Sequence, residues 1–504
     1  MKCILSIGLM KGGFLTMAIN LQSSEAPTRE NRLGSITGYQ GTIRDLVAQG
    51  SCGSLKNKER CFSQASACSS GCAQFYLSAI LDAAIVIHGP VGCAADTIAA
   101  NTNRKWGEKI RDWKHTNVNI INTNMVEEDT VFGAVGKLKV AVREAYRRFN
   151  PKAIFVTTSC VSGIIGEDVK SVLDELQEEI PVPLAPVFCE GFRSKVWASG
   201  FDAALHAIVT AIVKPPKQKN NKVNMINFTG SARKEITTTL ARFGLEPVFI
   251  VPFSTIEQLS KISESAATIS ICGTLGSYLG NALEEQYGVP YIQTLQPHGI
   301  AGMDSWLRGL GVATGKEVEV EAYISEEKEK VAVDLAEVRG KLKGYKAVVG
   351  MGPSFGHNYI RTLQELGVEV IWGSTWHFDP QHDNGVSPEA SQFLLSAETD
   401  IPVSVADQQN FEVINLLNRL KPDLYIGRHG GTTVWATKLG IPSIMIADEF
   451  SAYGYQGLVD FGHRLIDVLT NRNLAKNLAL HVKLPYTNWW LEQDSFTFLQ
   501  EDVV

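Results

Sequence analysis

From Leu81 onward the chain alternates short β-branched, apolar runs with longer stretches of helical period. Ala84–His88, Val118–Thr123 and Ala153–Thr158 read as strands, with a helix predicted from Glu127 to Phe149 between the last two. The polar, Pro-interrupted stretch Lys214–Lys222 reads as a linker. The pattern then restarts, with strands predicted at Val223–Phe228, Pro247–Val251 and Ala267–Cys272. A second break falls at Leu342–Tyr345. A third unit follows, with strands at Ala347–Gly352, Val368–Trp372, Leu424–Ile426 and Ser443–Ile446 and a helix ending near Leu366. Such βαβα alternation predicts parallel sheets with helices on both faces, hence an α/β fold of three doubly wound units in series.

Residues 20–60 are rich in Ser, Gly and Lys with little period, and are expected to form an irregular arm. The resulting domain reading is an arm over 1–44, domains over 45–220, 221–344 and 345–475, and a tail over 476–504. That tail should fold back on a neighbour, because Trp489, Trp490, Phe496 and Phe498 need burial.

A chain of 504 residues has room for several cores. Its net charge of −6, without a Lys/Arg-rich tract, argues against nucleic acid as a main partner. No apolar run reaches the roughly 18 residues of a membrane span, so no membrane partner is expected. The first 17 residues could pass for a weak signal peptide. The preferred reading is a disordered start, or an over-extended one with translation beginning at Met10 or Met17, and a cytoplasmic protein. Nine Cys in a long α/β chain read as metal ligands and buried thiols rather than as a disulfide scaffold.

Three of them share a setting. Cys68 lies in Ala67-Cys68-Ser69-Ser70-Gly71-Cys72, Cys93 ends His88-Gly89-Pro90-Val91-Gly92-Cys93, and Cys160 follows Thr157-Thr158-Ser159. Each sits in a Gly- or Ser-rich turn, where the backbone can approach inorganic sulfide. The plainer reading is three buried free thiols. Three ligands cannot fill a four-iron cubane, so ligation implies one further ligand or a partner chain. Cys61 and Cys72 compete with Cys68 for its place. Cys272 sits at a strand-to-helix junction, where a helix N-terminus favours a thiolate; a core cysteine is the alternative. Cys93, Cys160, Cys272 and the Gly352 and His429 loops all follow predicted strands, where ligands of doubly wound sheets bind.

Among the remaining candidates, His298, His357, His377, His382 and His429 lie in Gly- or Pro-rich loops. Of these His429 and His298 are preferred as a second ligand or proton donor. Arg104, Arg193, Arg361 and Arg428 could neutralise an anionic cluster, or be structural. Gly350, Gly352 and Gly356 resemble a phosphate-binding turn, but no acidic partner follows about 20 residues on. They read as close approach of backbone to a cluster. No phosphate-binding loop motif is present, so ATP hydrolysis must reside in another protein.

The cysteine set resembles the first-domain set of α-type subunits in the nitrogenase component 1 superfamily, and Cys189-Glu190-Gly191-Phe192-Arg193-Ser194 resembles a further segment of those subunits. The resemblance implies three Rossmann-like domains around a metallocluster cleft. It implies that Cys68, Cys93 and Cys160 hold an [8Fe-7S] P-cluster-like cluster shared with a homologous β-type subunit. It also implies that Cys272 ligates a complex, Fe8S9C-like cofactor, with Arg193 and Gly352 beside it. The implied partners are the β-type subunit in an α2β2 assembly and an ATP-hydrolysing [4Fe-4S] iron protein homodimer. The chain departs from nitrogenase where a Gln and a His would flank the cofactor: Trp197 and Phe201 stand there. The register puts Ala447 in place of the cofactor-ligating His and Gly431 in place of the Lys that holds homocitrate. Molybdenum and homocitrate are therefore not expected. These features look like the catalytic subunit of methylthio-alkane reductase, which cleaves C–S bonds of small methylthio compounds and releases methanethiol. The main rival is a cofactor-assembly scaffold. A true nitrogenase α subunit and a dark-operative tetrapyrrole reductase subunit rank below it.

Overall fold

The computed structural model describes residues 19–60, 68–95, 97–228, 232–397, 400–406, 409–428, 430–446 and 452–499. The segment expected to be an irregular arm is ordered. A helix over Arg29–Leu33 leads to strand β1 (Gly38–Thr42), and a second helix covers Ile43–Ser51 with the Thr42 hydroxyl capping it. Two glycines and a Gln in a five-residue strand leave no alternation to recognise, which is why the period failed here.

The first sheet holds β2 (Ala83–His88), β3 (Ile120–Asn122), β4 (Ala153–Thr158) and β5 (Leu184–Val187), all parallel, in the order β3-β2-β4-β5. Every residue of β2 and β4 is buried, as a sheet covered on both faces demands. The helix predicted over 127–149 is two helices, Asp129–Phe132 and Val135–Phe149, because Gly133 turns the chain at φ +83°. The second sheet is also parallel, with β6 (Lys222–Ile226), β7 (Glu246–Ile250), β8 (Ala267–Ser270) and β9 (Tyr291–Ile292) in the order β7-β6-β8-β9.

The helix Glu317–Leu342 carries the chain to the third sheet. Its strands are β10 (Lys346–Met351), β11 (Glu369–Thr375), β12 (Pro402–Ala406), β13 (Leu424–Gly427) and β14 (Ser443–Met445). The order β1-β12-β11-β10-β13-β14 makes the N-terminal strand β1 its antiparallel edge, with Gly38 opposite Ala406 and Thr42 opposite Pro402. The N-terminal segment thus belongs structurally to the far end of the chain. Strands β5, β9 and β12 were not predicted; they are short, or interrupted by Pro.

The tail folds back as expected. Phe496 stacks on Trp372 with centroids 5.6 Å apart, and Trp490 and Phe498 meet the edge of Phe411. Trp489 differs from the expectation: it stays 66% exposed. Among the described residues no helix is long and apolar enough to cross a membrane.

Candidate functional site

Most of the candidate chemistry lies in loops that follow strands, with Cys68, which precedes β2, as the exception. Cys68 caps the helix Ser69–Ser78, Cys93 lies in a 3-10 turn after β2, and Cys160 begins a short helix after β4. The Cys160 turn is fixed by a reciprocal cap between Ser159 and Ser162. The Ser162 hydroxyl also donates to the His88 carbonyl, which ties the Cys160 and Cys93 loops together.

The three thiols converge at two glycines. A Cβ at Gly191 would lie 2.6 Å from Cys68 Sγ and 3.5 Å from Cys160 Sγ; one at Gly89 would lie 3.6 Å from Cys93 Sγ. Burial pushes the Cys93 thiol up, and neighbouring Cys68 and Cys160 push it further. Among the described residues no three His, Cys, Asp or Glu side chains sit at single-ion spacing. Three thiols of one loop cluster, without carboxylate or imidazole, suit a sulfide-bridged polynuclear cluster better than a lone ion. Cys68 is exposed and Cys93 and Cys160 are half-buried, so the set opens outward, rimmed by exposed Val91, Ile164 and Phe192. Cys189 differs. It is buried, its Sγ lies 3.5 Å from the Thr158 carbonyl, and burial raises its pKa beyond the usual thiol range. Cys61 lies outside the described residues.

Cys272 caps the helix Gly273–Tyr287 directly after β8 and is 5% exposed. Burial pushes its thiol up, while the Leu275 N–H, the Ser354 hydroxyl, Arg29 and Arg428 pull it back. The helix terminus expected to favour the thiolate is therefore outweighed by desolvation, and the proton leaves when a metal takes its place.

Trp197 and Phe201 stand together as a wall, with ring centroids 5.7 Å apart. Trp197 also meets Trp376 at 5.7 Å and the His377 ring at 6.0 Å. The Trp376–Asp383 loop continues to Cys272: a Cβ on Gly273 would lie 2.9 Å from His382 Cε1. Trp376 was missed in the sequence because a lone Trp after a strand gives no sign of which face it covers.

Several of the remaining candidates have structural explanations, and His298 is an exception. His298 is fully buried among Phe355, Tyr359 and Tyr453, with centroids 5.7, 5.0 and 4.8 Å away. Neither ring nitrogen has a hydrogen-bond partner. Burial, then Arg361 and Arg428, hold its pKa well below the usual histidine value, so of the two expected roles this neutral ring fits a ligand better than a proton donor. His429 and Ala447 lie outside the described residues, while Gly431 lies in the helix Gly430–Lys438. Arg193, two residues beyond Gly191, pairs with Glu25 and, at 3.0 Å, with Glu190. Arg104 donates to the Ser78, Ile80 and Leu81 carbonyls, and Arg361 to that of His298. Arg428 lies 4.2 Å over the Phe355 ring. The glycine turn answers to protein neighbours. A Cβ at Gly350 would strike the Tyr425 hydroxyl at 2.2 Å, and one at Gly356 would press Thr375 at 3.1 Å. At Gly352 it would meet Trp376 at an ordinary 3.5 Å, so nothing in the protein demands a glycine there.

His382 lies 3.2 Å from Glu389, and His377 3.5 Å from Asp379. His357 is buried, bonds the Ser391 hydroxyl at 2.8 Å, and is pushed down to about 4 by burial. Its unfolded value is about 6.5, so the unfolded chain binds the extra proton between those values. The contribution of His357 is complete above about pH 6.5 and is lost as pH falls toward 4. Between pH 7.5 and pH 5, denaturant unfolding should show the stability advantage of wild type over His357→Leu shrinking by about 2 kcal/mol.

The N-terminal helix supplies side chains that the sequence reading missed. The Arg29 and Arg32 side chains are buried, paired with Asp202 of the helix Ser199–Ala211 and with Asp379 and Asp383 of the loop after β11. Their only sequence sign was two Arg spaced i, i+3 in a stretch without period.

A family model described as nitrogenase component 1 type oxidoreductase matches residues 68–470. The chain belongs to this family. Its match begins at Cys68 and takes in Cys93, Cys160 and Cys272. The chain is 28% identical over 410 residues to the nitrogenase iron-molybdenum cofactor biosynthesis protein NifE of Methanococcus maripaludis, covering 78% of this chain and 81% of that one. It is 26% identical over 455 residues to the nitrogenase molybdenum-iron protein alpha chain of Clostridium pasteurianum, covering 79% and 84%. The structure titled "Nitrogenase Cp1 at pH 5" shares the fold, with a TM-score of 0.68 and 23% identity over 86% of this chain and 94% of that one. The likeness to nitrogenase component 1 extends to the α/β architecture with its parallel-sheet domains, while the helix bearing Arg29 and Arg32 lies before the family match.

Proposed function

We propose that this chain is the catalytic α-type subunit of a nitrogenase-like reductase that cleaves the C–S bond of small methylthio compounds. The observation that carries this reading is the wall of Trp197, Phe201 and Trp376 on the loop system that also reaches Cys272. Such a surface takes up a methylthio group through dispersion and sulfur–aromatic contact, and offers dinitrogen-derived groups few hydrogen bonds. The balanced reaction consumes two electrons and two protons: the C–S bond breaks, carbon and sulfur each gain hydrogen, and methanethiol and a hydrocarbon leave.

Cys68, Cys93 and Cys160 would hold the outward-facing half of a relay cluster, and a β-type subunit would supply the other thiolates. Cys272 would anchor the cofactor. Bound there, an iron–sulfur cofactor supplies a soft, reducible metal site. His298 and His429 would serve as further groups near it, and the aromatic wall excludes water. An ATP-hydrolysing iron protein would deliver the electrons. The second reading, a cofactor-assembly scaffold, is favoured by the likeness to NifE over most of both chains.

The test is the anaerobically purified complex, co-expressed with its neighbouring genes, supplied with ATP, iron protein and small methylthio compounds, with headspace gas chromatography for methanethiol. ATP-dependent methanethiol with little ammonia from dinitrogen is expected. Robust ammonia formation would point to nitrogenase, and a fully loaded complex that turns over nothing would point to the scaffold.

A further inference from the structure

The N-terminal helix makes contacts out of proportion to its five residues. A Glu30 carboxylate oxygen accepts the backbone N–H groups of Lys195 at 2.7 Å and Val196 at 3.0 Å, and both its oxygens accept from the Ser194 hydroxyl. On the other side of Trp197, the Arg29 N–H donates to the Ser199 hydroxyl at 3.0 Å. Trp197 is thus gripped before and after. The Arg29 guanidinium forks onto Asp202, the residue after Phe201, at 2.7 and 2.8 Å. It also reaches Asp379 at 3.2 Å, two residues beyond His377, and donates to the carbonyl of Thr274, two residues beyond Cys272. Arg32 pairs with Asp202 at 2.5 Å and with Asp383. The Ser35 hydroxyl closes on Asp379 at 2.5 Å.

We infer that residues 28–42 form a strap that fixes the Trp197–Phe201 wall against the third domain and the Cys272 helix, with Arg29 and Glu30 as its positioning residues. One end is the buried ion network, the other is β1 paired to β12. Two guanidiniums facing three carboxylates leave no surplus positive charge, so the main action of Arg29 is geometric. Bidentate Arg–carboxylate bonds fix orientation as well as distance, which a Lys would not do. The name of the wall's substrate rests on the proposed function; the strap itself does not.

Hydrogen exchange with mass spectrometry on the purified complex tests it. Glu30→Ala removes the acceptor of two backbone N–H groups without touching the buried Arg network. Exchange at Lys195 and Val196 should rise at least tenfold, with faster exchange through 194–203 and 374–384. Strands β2 and β10 should be unchanged. Ser199→Ala should give a weaker form of the same pattern. Faster exchange confined to 19–42, or spread evenly over all three sheets, would overturn the strap. In turnover assays Glu30→Ala should raise KM for the thioether at least fivefold with kcat and the relay-cluster EPR signal little changed. A KM left at the wild-type value would overturn the positioning role. If wild type turns over no thioether, the functional reading fails, and the exchange pattern still decides the strap.

Discussion

Alanine at Cys68, Cys93 or Cys160 should strip the relay cluster from the complex and abolish electron transfer through it. The three thiols come from three separate loops that meet at Gly191 and Gly89. Among the described residues, Cys189 is buried against the Thr158 carbonyl and Cys72 lies one helical turn beyond Cys68, so neither occupies the position of a primary thiol. Because thiolate ligation is coupled to cluster binding, loss of one ligand costs far more than its own contacts. Iron content and EPR of the anaerobic complex provide the measurement. Cys72→Ala and Cys189→Ala serve as controls that should keep their iron. Unchanged iron in all three primary variants would remove the basis for the relay. Gly191→Ala should produce a milder loss, since its new methyl would lie 2.6 Å from Cys68 Sγ.

Cys272→Ala should instead separate the two metal sites. The relay cluster should remain and its EPR signal with it, while cofactor iron is lost and thioether turnover falls below detection. The reason is position: Cys272 follows β8 of the second sheet, whereas Cys93 and Cys160 follow β2 and β4 of the first. Trp197→Gln should leave both metal sites filled and reduce kcat/KM for the thioether. The substitution removes the ring contacts with Phe201 and Trp376, each worth roughly 0.5–1.5 kcal/mol, so roughly 1–3 kcal/mol together, or about 5- to 150-fold. Metal analysis beside methanethiol release would decide. Equal loss of both clusters in Cys272→Ala would contradict the two-site arrangement, and full activity in Trp197→Gln would remove the wall from the mechanism.

Much of the fold was legible because parallel strands buried on both faces must be continuously apolar. β4 was predicted residue for residue, and β2, β6, β7, β10 and β13 to within one or two residues at each end. The cysteine loops were legible for a related reason: a ligand loop in such a sheet follows a strand end and needs small residues, and both are local properties. Glycine was ambiguous. Gly350 and Gly356 looked like a cradle and are explained by Tyr425 and Thr375, whereas Gly191, noted only as part of the Cys189–Ser194 segment, is where two thiols meet.

By itself, then, the sequence determined the α/β class and the strand-end placement of Cys93, Cys160 and Cys272. Only the tertiary structure decided what lies beside them. It drew β1 to the edge of the third sheet, some 360 residues along the chain, set Trp376 against Trp197, and buried Arg29 between Asp202 and Asp379. The physical reason is that period and turn chemistry are local, whereas edge pairing and buried ion pairs are settled by whichever distant groups close packing leaves unsatisfied.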